Sequence, residues 1–188
     1  MFFATRKRSV VTMVTSALIG CFVTTTTAHA ATQGSIGATS TGTVTINATI
    51  NALVQISDLN DITFSGLTGA AAAQQTDNVC VWSNTASKSY TIKATGNGTT
   101  NAFTLASGTN AAIPYSVAWA NTAGATSGTS LTTNVASTAF TSAATLPLCN
   151  LGASPTSTLF VSIAAADQSA MVANAAYTGV LTLVVTPQ

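Results

Sequence analysis

The run Thr43-Val44-Thr45-Ile46-Asn47-Ala48-Thr49-Ile50-Asn51-Ala52-Leu53-Val54-Gln55-Ile56 decides how the rest of the chain is read. Val44, Ile46, Ala48, Ile50, Ala52, Val54 and Ile56 fall on one face of an extended backbone. Thr45, Asn47, Thr49, Asn51 and Gln55 fall on the other, and Leu53 is the exception. Alternation with a period of two is the mark of a β-strand with one apolar face. It persists for the 13 residues from Val44 to Ile56 with no Gly or Pro inside. At about 3.3 Å per residue the run spans roughly 43 Å, whereas strands of compact domains seldom exceed about ten residues. One reading is a single long, bent first strand that switches sheets near Asn51. The other divides the run. Residues from about Ala52 to Ile56 pair within their own domain, and residues from about Gly42 to Asn51 project towards another chain. No turn residue lies between Thr43 and Ser57 to fold the first half back as a hairpin. A strand with an apolar face and unused backbone donors and acceptors is suited to β-strand addition.

Working outward, residues 31–41 contain Gly34, Gly37 and several Ser and Thr, and read as a flexible leader. Upstream, Arg6, Lys7 and Arg8 precede a short apolar stretch, Val10 to Val23, and then Ala28-His29-Ala30. This is the layout of a cleaved secretory signal peptide, 1–30, followed by periplasmic export. The stretch is short for a bilayer span, so no stable membrane insertion is expected. Leu18-Ile19-Gly20-Cys21 offers a competing lipoprotein box.

Downstream, strand-like alternation recurs at Tyr90 to Ala94, Tyr115 to Trp119, Leu159 to Ile163 and Leu181 to Val185, separated by Gly, Asn, Ser and Thr clusters. Asn97-Gly98 predicts a hairpin between the Tyr90 run and Phe103-Thr104-Leu105. Asn121 to Leu146 reads as one long loop, and the Ala-rich pieces at 69–73 and 164–176 are the places for a helical turn. Many short strands with turns between them predict an all-β sandwich.

Composition narrows the chemistry. Removing 1–30 from the 188 residues leaves 158, one domain's worth. Those residues carry Asp58, Asp61, Asp77, Asp167, Lys88 and Lys93, with no Arg, Glu or His, a net charge of −2. A chain 47% hydrophobic is expected to fold despite so few charges. Acid–base catalysis at neutral pH usually enlists His, Glu or a tuned Lys, so no catalytic residues are expected and the chain is read as no enzyme. Two lysines give no electrostatic basis for nucleic-acid binding. No cofactor is expected. Asp58 and Asp61 could share a calcium ion, but a turn before a strand at Ile62 explains them more simply. Cys80 and Cys149 form an even pair, which in an oxidising compartment reads as one disulfide. The alternative, a reactive thiol, needs a neighbouring His or cation cluster that the sequence lacks. Trp82, Trp119, Tyr90 and Tyr115 could line a carbohydrate-binding surface, although aromatics at alternating positions more often fill a core.

Three stretches, in order, carry a likeness: Gly42 to Ile50; Asn78-Val79-Cys80-Val81-Trp82-Ser83-Asn84 with Tyr90-Thr91-Ile92; and Tyr177 to Pro187. Together they make the chain resemble chaperone–usher fimbrial (pilin) subunits, in particular the alternative group of spore-coat-protein-U-like subunits. The resemblance implies an incomplete immunoglobulin-like β-sandwich, 52–188, behind a leader and donor strand, 31–51. It implies donor-strand residues Val44, Ile46, Ala48 and Ile50, and an acceptor-groove edge strand carrying Val180, Leu181, Leu183 and Val185. A Cys80–Cys149 staple in the body also follows. The implied partners are identical or homologous subunits, a periplasmic chaperone and an outer-membrane usher. The implied role is a structural subunit of a surface fimbria in adhesion or biofilm formation. A monomeric secreted adhesin or carbohydrate-binding tip module is the competing role.

Overall fold

The computed structural model describes residues 31–148 and 154–188. The signal-peptide reading of 1–30, Cys21 and Cys149 lie outside the described residues. The chain divides into two units, residues up to Thr49 and Ile50–Gln188.

Among the described residues of the second unit, alternating apolar residues form ten strands: β1 (Val54–Ser57), β2 (Ala73–Ser83), β3 (Ser89–Gly96), β4 (Thr104–Leu105), β5 (Ile113–Pro114), β6 (Ser116–Ala120), β7 (Thr129–Leu131), β8 (Phe140–Thr141), β9 (Ser157–Ile163) and β10 (Leu181–Pro187). One short helix, α1 (Ala165–Ser169), falls in the second Ala-rich piece. One sheet has the order β1-β2-β9-β6-β7, the other β10-β3-β8, and β4 pairs β5. Every paired neighbour is antiparallel. β2 serves two partners along its length, β9 through residues 73–79 and β1 through residues 80–83.

The core is what the two sheets turn towards each other: Val79, Val81, Val117, Trp119, Leu159, Val161 and Ile163 from one, Tyr90, Ile92 and Ala94 from the other. A buried polar contact joins them. Trp119 Nε1 donates to the Tyr90 hydroxyl at 3.2 Å, and that hydroxyl lies 3.2 Å from Ser157 Oγ. Burial pushes the Tyr90 phenol above its ordinary pKa, with the bonds to Ser157 and Trp119 pulling the other way.

Several sequence-based expectations are corrected. Asn97-Gly98 does not turn β3 into β4: β3 pairs β10 and β8, and β4 pairs β5. Gly98 is extended (φ −72°), and positive φ falls instead on Thr100 and Asn101 in a 3-10 turn, Thr99–Asn101. Asn97 spends its Oδ1 on the Val180 N–H at 3.0 Å. The long loop 121–146 contains β7 and β8, because Leu131 and Phe140 are buried in the core. Its first part folds over the outer face of the five-stranded sheet. There the Thr158 hydroxyl lies 2.8 Å from the Thr122 carbonyl, and Gly124 N–H donates to Asn78 Oδ1 at 2.9 Å. Ile62 starts no strand, since residues 58–72 lie between β1 and β2 without one.

The first strand is shorter than the alternation that encodes it. β1 begins at Val54, and residues 44–53 form no strand. Asn84 marks the junction: its Nδ2 donates to the Asn51 carbonyl at 2.9 Å, and its Oδ1 accepts from Leu53 N–H at 2.6 Å. In the first unit, Thr32 and Thr43 exchange both backbone hydrogen bonds, at 2.9 and 3.0 Å. The segment read as a loose leader is therefore a closed loop.

Candidate functional site

The site begins with β10, whose residues alternate. Leu181, Leu183, Val185 and Pro187 are half-buried, while Thr182, Val184 and Thr186 are exposed. One edge of β10 pairs β3 from Leu181↔Gly96 to Pro187↔Tyr90. Among the described residues no strand pairs with the other edge. The first part of β10, Leu181 and Leu183, thus borders a space rather than a paired strand.

That space is a groove of about 820 Å³. Its floor is the inward face of β9, Leu159, Val161 and Ile163, which also belong to the core. Leu181 and Leu183 line it from β10, and Ile62, Phe64 and Leu67 from the segment between β1 and β2. Among the lining side chains Asp61 is the one carboxylate, and Asn60, Thr63, Tyr177 and Thr178 add uncharged polar groups beside the apolar floor. Tyr115 also lines it, with its phenol pKa raised by burial.

The wall at 59–67 has no ladder to hold it, and two buried polar side chains tie down its ends. Asp77 accepts from Asn60 N–H at 2.8 Å and from Asn60 Nδ2 at 3.0 Å. Gln168, on α1, accepts from Gly69 N–H at 3.2 Å and donates to the carbonyls of Ala71 at 2.8 Å and Ile163 at 3.0 Å. Sequence reading missed this wall and both anchors. The Ile62-x-Phe64 alternation was the available signal, but it is only three residues long.

Of the residues singled out for the groove edge, Leu181 and Leu183 line the groove and Val180 sits at its rim, 59% exposed. Val185 packs on the core without lining the groove. Val44, Ile46 and Ile50 are 72%, 87% and 82% exposed, and Ala48 is exposed too. Cys80 is fully buried against Ala144 and Trp82, and its expected partner Cys149 is outside the described residues. Of the four aromatics considered as a carbohydrate surface, Tyr90, Trp119 and Tyr115 are buried in the core and only Trp82 is part-exposed.

A chain from the solved structure of a chaperone–tip adhesin complex of CFA/I fimbriae biogenesis shares this architecture, with a TM-score of 0.50 and 18% sequence identity. The fold is an immunoglobulin-like sandwich. The match covers 72% of the present chain and 41% of the other, so the protein spans less than half the length of that neighbour. At this identity the likeness is one of fold. No family model and no curated protein matches the sequence. Among the described residues, no helix is long and apolar enough to cross a membrane.

Proposed function

We propose that the protein is a structural subunit of a surface fimbria that polymerises by donor-strand exchange and supports adhesion or biofilm formation. Residues 44–50 of one copy seat in the groove of the next. One observation carries this reading: a groove beside the unpaired edge of β10 occurs in a chain with an exposed apolar alternation at 44–50. Val44, Ile46, Ala48 and Ile50 are the four side chains such a strand would turn inward, beside Leu181 and Leu183. Backbone pairing along β10 supplies specificity for an extended segment, and each of Val44, Ile46 and Ile50 contributes roughly 1.5–3 kcal/mol on burial.

The finer features go with the reading. Before assembly a periplasmic chaperone fills the groove, and an outer-membrane usher presides over the exchange, as in the spore-coat-protein-U-like group that the sequence resembles. The signal peptide is removed after Ala30, and Cys80 pairs with Cys149, which the full burial of Cys80 supports. The role is binding and assembly, without catalysis.

Deleting residues 31–51 from the exported protein tests the reading. Intact protein should run as a ladder on a denaturing gel without boiling and collapse to one band on boiling. The deleted form should stay soluble and monomeric, or chaperone-bound. Normal fibres from the deleted form would refute the proposal. A single band from the intact protein would favour a monomeric adhesin, and hydrolytic turnover by purified monomer would refute the absence of catalysis.

A further inference from the structure

We infer that the Thr32–Thr43 loop sets the register in which the donor segment enters its acceptor; this rests on the donor-strand reading above. A groove that selects alternate apolar side chains rejects a one-residue slip, because every side chain would then face the wrong way. It discriminates weakly against a two-residue slip, which keeps the same face inward. With Val44, Ile46, Ala48 and Ile50 followed by Ala52, the donor presents similar small or aliphatic groups at either register. Something other than the pattern must end the insertion.

The structure brackets the segment at both ends. At one, the Asn84 side chain holds the Asn51 carbonyl and Leu53 N–H, so residues beyond 51 belong to the body. At the other, Thr43 spends both its N–H and its C=O on Thr32. In such an antiparallel pair both groups of a residue point to the same edge. In an extended strand continuing from Thr43, residues Thr45, Asn47 and Thr49 would direct their backbone towards the loop's edge, and Val44, Ile46, Ala48 and Ile50 would direct theirs to the opposite one. The second set is free to pair with β10. The loop spans residues 33–42, and Thr32 already occupies the backbone edge of Thr43 at its base. Glycine keeps the closure tight: a Cβ at Gly34 would lie 2.1 Å from Ser40 Oγ, which would have to turn away, and 3.2 Å from the Thr41 carbonyl oxygen. A Cβ at Gly42 would lie 3.0 Å from the Thr32 carbonyl oxygen that accepts the bridge. Seven residues, 44–50, remain between the brackets.

The test places one cysteine in the donor, at Val44, Ile46, Ala48 or Ile50 in turn, and a second at Leu183, and measures intersubunit cross-linking in fibres by mild oxidation. With the loop intact, one donor position should exceed the others about tenfold, equivalent to about 1.4 kcal/mol. In Gly34→Val, and independently in Thr32→Pro, which removes the N–H given to Thr43, a position two residues away should rise to a comparable yield while fibres still form. An unchanged single dominant position in both variants overturns the loop's role and leaves donor exchange standing. Absence of cross-links at every position in fibres with the intact loop overturns donor exchange, and the register inference with it.

Discussion

Trp119 and Tyr90 meet across the interior, indole N–H to phenol oxygen at 3.2 Å, from β6 of one sheet to β3 of the other. Because Ser157 on β9 shares the same hydroxyl, one oxygen satisfies two buried polar groups. Tyr90→Phe removes that oxygen and strands both. The expected loss is about 1–3 kcal/mol, read as a lower denaturant midpoint with an unchanged slope.

The same tyrosine gives the body a pH dependence at the alkaline end. Its pKa is raised in the folded state by burial, as is that of Tyr115. A group whose folded pKa exceeds its unfolded value contributes stability that is complete below the unfolded pKa and is lost as pH rises through the folded one. Thermal midpoints should therefore be insensitive to the phenols below the ordinary tyrosine pKa of about 10 and fall above it. Tyr90→Phe should flatten part of that fall. An equal fall in the variant and the parent would show that Tyr90 does not contribute.

Gln168 holds three backbone groups at the end of the groove wall, Gly69 N–H and the carbonyls of Ala71 and Ile163. Gln168→Ala leaves them unpartnered, at an expected cost of roughly 2–4 kcal/mol. Hydrogen exchange at Gly69 should accelerate before the rest of the sandwich does, since the wall has no strand ladder.

Asn84→Ala releases the Asn51 carbonyl and Leu53 N–H at the start of the body. These groups are exposed, so water replaces the lost partner and the cost should stay near 0.5–1.5 kcal/mol. Chemical denaturation of the monomer measures it directly.

Donor residues behave differently, because Ile46 is 87% exposed in its own chain. Ile46→Ala should change monomer stability by less than about 0.5 kcal/mol, as surface substitutions do. It should still speed dissociation of the polymer by about 10- to 100-fold, the factor for roughly 1.5–3 kcal/mol of lost burial. Timed loss of the gel ladder at fixed temperature separates the two effects.

The strand β10 was legible in the sequence because Leu181-Thr182-Leu183-Val184-Val185 alternates on its own, and so was β9 in Leu159, Val161 and Ile163. The wall opposite was not. Ile62, Phe64 and Leu67 are held by Asp77 and Gln168, partners 17 to 99 residues away from the groups they bind, and no local pattern reports such bonds. Asn97-Gly98 misled for a related reason. A turn dipeptide shows that the chain bends, but the pairing of β3 with β10 and β8 depends on residues far along the sequence.

The sequence by itself determined that this is an all-β chain with almost no charge and with an apolar alternation longer than one strand needs, because period-two patterning and composition are local properties. Only the tertiary structure decided where that alternation stops being strand, at Val54, and which edge of the sandwich is left without a partner. The reason is physical: whether a strand edge is paired depends on which distant segments reach it, and nothing within the strand itself records that.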